Sequence, residues 1–209
     1  MKVELLFVTP NAEKLIEQAG RTSYLSYENQ GKNTEKKFIR MLIKKGHFSV
    51  LEHAYATFRI IGVSRAFTHQ LVRHRLCSFT QQSQRHVDER NFKYIEPDSI
   101  RKNREAHLVF SNLIKESRKA YRKLMSLGIG NEDARFVLPN AVESQIVVSA
   151  NLRQWRHIIK LRGSQDAQWE IRKVAIEILK TLKKFVPTVF EEFRIHNNNY
   201  VKLSGQQLS

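Results

Sequence analysis

Apolar and polar residues alternate or recur at readable periods along most of this chain. VELLFV (3–8) is a β-prone run stopped by Pro10, and Asn11 is placed to cap a helix running through Gln18. Asn29, Gly31 and Asn33 mark a loop. Thr34 then caps EKKFIRMLIKKG, in which Phe38, Met41 and Leu42 share a helical face and Gly46 ends the helix. YATFRIIGVS (55–64) reads as a strand, and Ser64 caps a helix through RAFTHQLVRHR. Helical spacing there points Gln70 and Arg73 the same way.

Residues 104–128 give the longest amphipathic helix, with Gly128 as terminator. Asn131 is a further cap, Pro139 a stop, and ESQIVVSANLR (143–153) a strand. A helix through residue 161 and another ending near Pro187 complete the pattern, and the residues from about 197 look peripheral. Intermingled strands and helices without a linker predict one α/β (α+β) domain over 1–209. Its 41% hydrophobic and 27% charged residues suit a globular fold.

The charge narrows the choice of partner. With 36 basic against 20 acidic residues the net charge is +16, which favours an anionic ligand such as a nucleotide, nucleic acid or phosphorylated cofactor. No Lys occurs between Lys45 and Lys93, although Arg59, Arg65, Arg73, Arg75, Arg85 and Arg90 do, and the gap from Lys123 to Lys160 holds Arg135, Arg153 and Arg156. Arginine's rigid fork suits bidentate contact with phosphate, whereas lysine is a hydrated point charge, so these windows suggest fixed recognition. The single Cys77 excludes an internal disulfide and a cysteine-rich zinc site. No apolar run reaches transmembrane length and MKVELLFVTP lacks signal-peptide features, so a cytoplasmic location is expected.

Residues 70–86, QLVRHRLCSFTQQSQRH, gather three arginines, two histidines and four glutamines with no acidic residue. Alone, Arg73-His74-Arg75 reads as a basic helix end favoured by the helix dipole. Followed by seven residues, Ser83 and then Arg85, it resembles the signature of the flavin-dependent thymidylate synthases. GRTSY (20–24), GHFSVLEH (46–53), ARFVLP (134–139) and NLRQWRHIIKLRGSQDAQWEI (151–171) resemble further family segments in the expected order, so the likeness spans about residues 20 to 190.

The resemblance implies a central, mostly antiparallel sheet flanked by helices, assembled as a homotetramer with sites shared between subunits. It implies methylation of deoxyuridine monophosphate (dUMP) to dTMP, with FAD as cofactor and NADPH and methylenetetrahydrofolate as co-substrates. By the same resemblance Gln70, Arg73, Gln82, Ser83, Gln84, Arg85, Arg135 and Arg162 hold dUMP. Arg162 is the catalytic candidate, because a fixed cation beside the uracil imide favours the anionic, activated ring. Ser49, Arg73, His74, Arg75, Gln81, Asn151, Arg153 and His157 would meet FAD. Gln81 stands where some members have Glu, Thr80 where some have Asn, and His157 at a position that is often Asn.

Other chemistries fit less well. There is no GxGxxG after a strand. The histidines His47, His53, His69, His86, His107 and His196 form no HxxxH pair, and no metal is expected. Ser83 lacks an adjacent base for a nucleophilic role, and Cys77 lies outside the family motif as a packed small residue. The alternative reading is a basic RNA- or DNA-binding module, which predicts an exposed basic face with interleaved aromatics and affinity falling steeply with salt. Bound flavin separates the two, and no nucleic-acid partner is expected of the enzyme.

Overall fold

The computed structural model describes residues 1–204. β1 (Lys2–Val8) leads into α1 (Ala12–Thr22) and α2 (Thr34–Lys44). A 3-10 segment, Ser49–His53, precedes β2 (Tyr55–Ser64), α3 (Arg65–Leu71) and β3 (Ser78–Gln81). α4 (Asp98–Arg101), α5 (Arg104–Ser126) and α6 (Asn131–Ala134) follow, then β4 (Glu143–Asn151) and α7 (Leu152–Arg162). The described chain closes with α8 (Trp169–Phe185), α9 (Pro187–Phe190), β5 (Phe193–His196) and β6 (Tyr200–Leu203).

Four strands form a sheet in the order β1-β2-β4-β3, and β5 pairs antiparallel with β6. As β2 ascends, its partners on β4 descend: Leu152 N donates to Ala54 O, the Thr57 and Ser149 hydroxyls meet at 2.8 Å, and Arg65 N donates to Val142 O. The central pairing is therefore antiparallel. Along β4, Ser144, Ile146, Val148 and Ala150 are buried while the residues between them are half-buried, the period-2 pattern of a strand with one face in the core.

Contacts gather in two compact units. The first comprises residues 1–2, 61–70 and 80–146. In it α5 is started by Asn103, whose side chain accepts from Glu105 N and Ala106 N, and ends before Gly128 at φ 83°. Its Ile114 packs in a buried cluster with Phe92 and Val142. The second comprises residues 3–60, 71–79 and 147–204 of the described chain. There the fully buried Trp155 ties α7 to β2, donating from Nε1 to Ala56 O at 3.0 Å and meeting the Phe58 ring edge-on at 5.2 Å.

Several expectations change. Asn11 and Asn33 precede α1 and α2 in left-handed conformations and make no side-chain cap, while the Thr34 hydroxyl lies within hydrogen-bond reach of both Glu17 Oε2 and Gly31 O and donates to one of them. Ile39 and Leu42 face the core, whereas Met41 is exposed. Asn131 opens α6 after a Gly130 cap. Ser64 does cap α3, its Oγ accepting from Phe67 N, but the helix ends at Leu71, so Arg73 and Arg75 lie beyond it and share no helical face with Gln70. The segment after 197 is not peripheral: Asn197 and Asn198, both at positive φ, turn the chain into β6, and Val201 is buried. Residues 205–209 lie outside the described residues.

Candidate functional site

The first unit collects the loop after β3 and the arginine after α6. Gln82 N donates to Gln145 O of β4, Ser83 Oγ accepts from Arg85 N, and Val87 N donates to Ser83 O, so the loop is held by its own turns. Arg85 reaches Glu132, with Nε and Nη2 at 3.2 and 3.0 Å from Oε2. Arg135 Nε donates to the Glu132 backbone oxygen at 3.0 Å. Two arginines fifty positions apart in sequence thus converge on Glu132, whose place after the Asn131 cap in the sequence gives no sign of this role. The Arg85–Glu132 pair is exposed on both sides, so it is worth about 0–1 kcal/mol and yields readily to a better anion.

Around it the amides are partly committed. Gln81 Nε2 donates to the Thr68 hydroxyl at 2.9 Å and reaches that of Ser144 at 3.4 Å. Gln82 Nε2 donates to Glu89 Oε1 at 3.1 Å, and burial raises the pKa of that nearly enclosed carboxyl. Gln82, Asp88, Glu89 and Glu143 line a hollow of about 320 Å³ that also holds Arg90 and Lys93. Three carboxylates against two cations make it a poor seat for a phosphate dianion. Gln70, Ser83 and Gln84 are half-buried.

The second unit holds a different assembly. Asn151 ends β4 and starts α7, its Oδ1 accepting from Gln154 N at 2.8 Å. The helix carries Arg153 in its first turn, His157 midway and Arg162 as its last residue. Arg162 Nε donates to Nε2 of the buried His74 at 3.0 Å, and the His74 and His157 rings meet edge-to-face at 5.7 Å. Burial, then the Arg162 charge, then His157 lower the His74 pKa to about 4. His74 is therefore neutral near pH 7. Because Nε2 accepts from a permanent cation, its proton sits on Nδ1.

Arg153 Nη1 meets Glu52 Oε1 at 2.5 Å, an exposed pair following Ser49, which is itself exposed at the start of its 3-10 segment. Arg73 and Arg75 are exposed, and neither forms an ion pair among the described residues. Arg73 and Arg75, the sequence neighbours of the neutral, flat, buried His74 imidazole, suit a ligand that is anionic at one end and planar at the other. Cys77 is half-buried, and burial pushes its thiol up to about 11, which suits packing and not nucleophilic attack.

The mixed sheet-and-helix fold, with solvent-facing arginines in each unit, suits an enzyme that takes anionic ligands. The family described as thymidylate synthase complementing protein matches residues 4–188. The flavin-dependent thymidylate synthase of Geobacter sulfurreducens is 42% identical over 200 residues, covering 92% of this chain and 86% of its own. That of Pyrococcus furiosus is 43% identical over 174 residues, covering 81% and 71%. A crystal structure of the Helicobacter pylori flavin-dependent thymidylate synthase, complexed with FAD and dUMP, aligns with TM-score 0.77 at 25% identity over 91% of this chain and 98% of that one. The chain belongs to the flavin-dependent thymidylate synthases. Among the described residues no helix is long and apolar enough to cross a membrane.

Proposed function

We propose that this enzyme methylates dUMP to dTMP with methylenetetrahydrofolate as one-carbon donor, working in the cytoplasm as a homotetramer whose sites are shared between subunits. The reading is carried by the Arg162–His74 hydrogen bond, which couples the residue assigned to uracil to the residue assigned to flavin. When bound, reduced FAD supplies the hydride that completes the methyl group, after reduction by NADPH.

The chain's own residues bind and orient. Arg85 and Arg135, with the Ser83 hydroxyl, take the dUMP phosphate, Glu132 giving up Arg85 as the dianion arrives. Gln70, Arg73, Gln82 and Gln84 read and seat the remainder of the nucleotide. Arg162 Nε is committed to His74, which leaves its two terminal nitrogens to donate to the uracil edge and stabilise the ring anion. Neutral His74 fixes the direction of that fork without adding a competing charge. For FAD, Arg73, Arg75 and Arg153 face the diphosphate, while Ser49, His74, Gln81, Asn151 and His157 line the rest. Asn151 uses its carbonyl to cap α7 and keeps its amide N–H groups for the cofactor.

The test is an absorbance spectrum of the purified protein with added FAD, then anaerobic NADPH, then dUMP with methylenetetrahydrofolate. Bleaching followed by reoxidation in step with dTMP formation is expected. Failure to take up FAD, together with steeply salt-dependent binding to a single-stranded oligonucleotide, would overturn the proposal in favour of the nucleic-acid module.

A further inference from the structure

Arg162 is the last residue of α7, the position where a helix is least constrained, because its final carbonyls lack partners within the helix. Here the following residue is tethered from outside. Val201 N, in β6, donates to Gly163 O at 2.7 Å. The Val201 side chain, 5% exposed, occupies the space that a side chain at 163 would need: a Cβ there would lie 2.8 Å from Val201 Cγ2 and 2.6 Å from Ile159 O. Glycine is thus required at 163 by close approach, not by a left-handed backbone.

The hairpin that carries Val201 is itself pinned. Lys183 Nζ donates to Phe193 O at 2.6 Å, and Ser204 donates from both N and Oγ to Glu192 O. The buried Arg156 guanidinium lies between the Phe48 and Phe193 rings, at 5.4 and 5.0 Å, and bonds Val189 O and the Glu192 carboxylate. Arg156 belongs to α7, so the helix holds the hairpin by one residue and is held by it at another. The family match stops at residue 188, before the hairpin begins.

We infer that the β5–β6 hairpin, acting through Val201 on Gly163, is the positioning element that fixes the Arg162 fork for the nucleotide. This rests on the assignment of Arg162 to uracil. With the last turn of α7 clamped, the Arg162 backbone cannot fray, and its side chain has one anchor at each end: the helix and His74.

The full-length, FAD-loaded protein is compared as wild type, V201G, V201T, R162A and R162A/V201G, reading dUMP affinity from the perturbation of the flavin spectrum, and KM against kcat. V201G keeps its flavin and weakens dUMP binding about tenfold, the scale of a misplaced positioning contact. V201T, which restores the branched shape, recovers most of that loss. R162A/V201G binds no worse than R162A, because the two changes remove the same interaction. Should V201G lose its flavin, V201A is read in its place. Wild-type dUMP affinity per bound flavin in V201G or V201A, beside an impaired R162A, sinks the inference alone, as do multiplicative losses in the double variant. If R162A binds and turns over dUMP normally, the uracil assignment falls and takes the inference with it.

Discussion

The Glu132 cluster and the His74 cluster each hold an arginine assigned to the nucleotide, yet they do so by opposite means. Arg85 is exposed and rests on an equally exposed carboxylate. Arg162 is half-buried and rests on a buried neutral ring. The first arrangement costs little to break, since water and salt already weaken the pair. The second is fixed before any ligand arrives, because a cation turned toward a neutral acceptor has no counter-charge to surrender. A phosphate needs a mobile receiver that releases a stand-in, whereas a ring that becomes anionic during reaction needs donors already in place.

The sharpest way to break this comparison is at the preorganised end. R162A is expected to keep its fold and flavin but to lose turnover by about 100-fold, the scale for removing one aimed donor; single-turnover dTMP formation measures it. Next comes acid. His74 binds its proton at about pH 4 in the fold against an ordinary 6.5, so the unfolded chain holds more protons between those values. Stability therefore falls as pH drops from 6.5 toward 4, by on the order of 3 kcal/mol from this group. In H74Q that pH-dependent part should vanish from the urea midpoint measured at pH 7 and at pH 5.

The mobile end answers more weakly. R85A should raise KM for dUMP about tenfold with kcat little altered, as expected for binding spread over several phosphate ligands. E132Q frees Arg85 from its stand-in and should lower KM by roughly two- to threefold, an effect that fades as salt is added. A loss of affinity in E132Q would mean that Glu132 positions Arg85 instead of yielding it.

Much of this frame was legible in advance. β2 is bounded as its alternation and Ser64 foretold, whereas β4, expected to run to residue 153, ends at Asn151, whose side chain caps α7. The helix expected after Ser64 ends four residues early, although Ala66, Phe67, Gln70, Arg73 and His74 keep helical spacing in the sequence. In the fold His74 leaves that periodicity to be buried against Arg162, a tertiary contact that local pattern does not encode. β3, SFTQ, has only one large apolar residue and so no strand signal of its own. The hairpin did leave a signal that went unused: FRIH and YVKL flank an Asn-rich turn, and Asn tolerates the left-handed backbone a tight turn demands. Glu132 was invisible because its part is to hold the arginines, and nothing in NEDAR distinguishes that from a polar helix start.

The state of Cys77 has a practical consequence. With its thiol pushed up to about 11, only about one molecule in ten thousand carries the thiolate at pH 7. The sole native sulfhydryl should therefore be nearly silent toward maleimides and iodoacetamides at neutral pH. A cysteine introduced on an open position, such as Phe136 at 81% exposure, would then take a fluorophore almost alone, next to the arginine that waits for phosphate and without first deleting the native thiol.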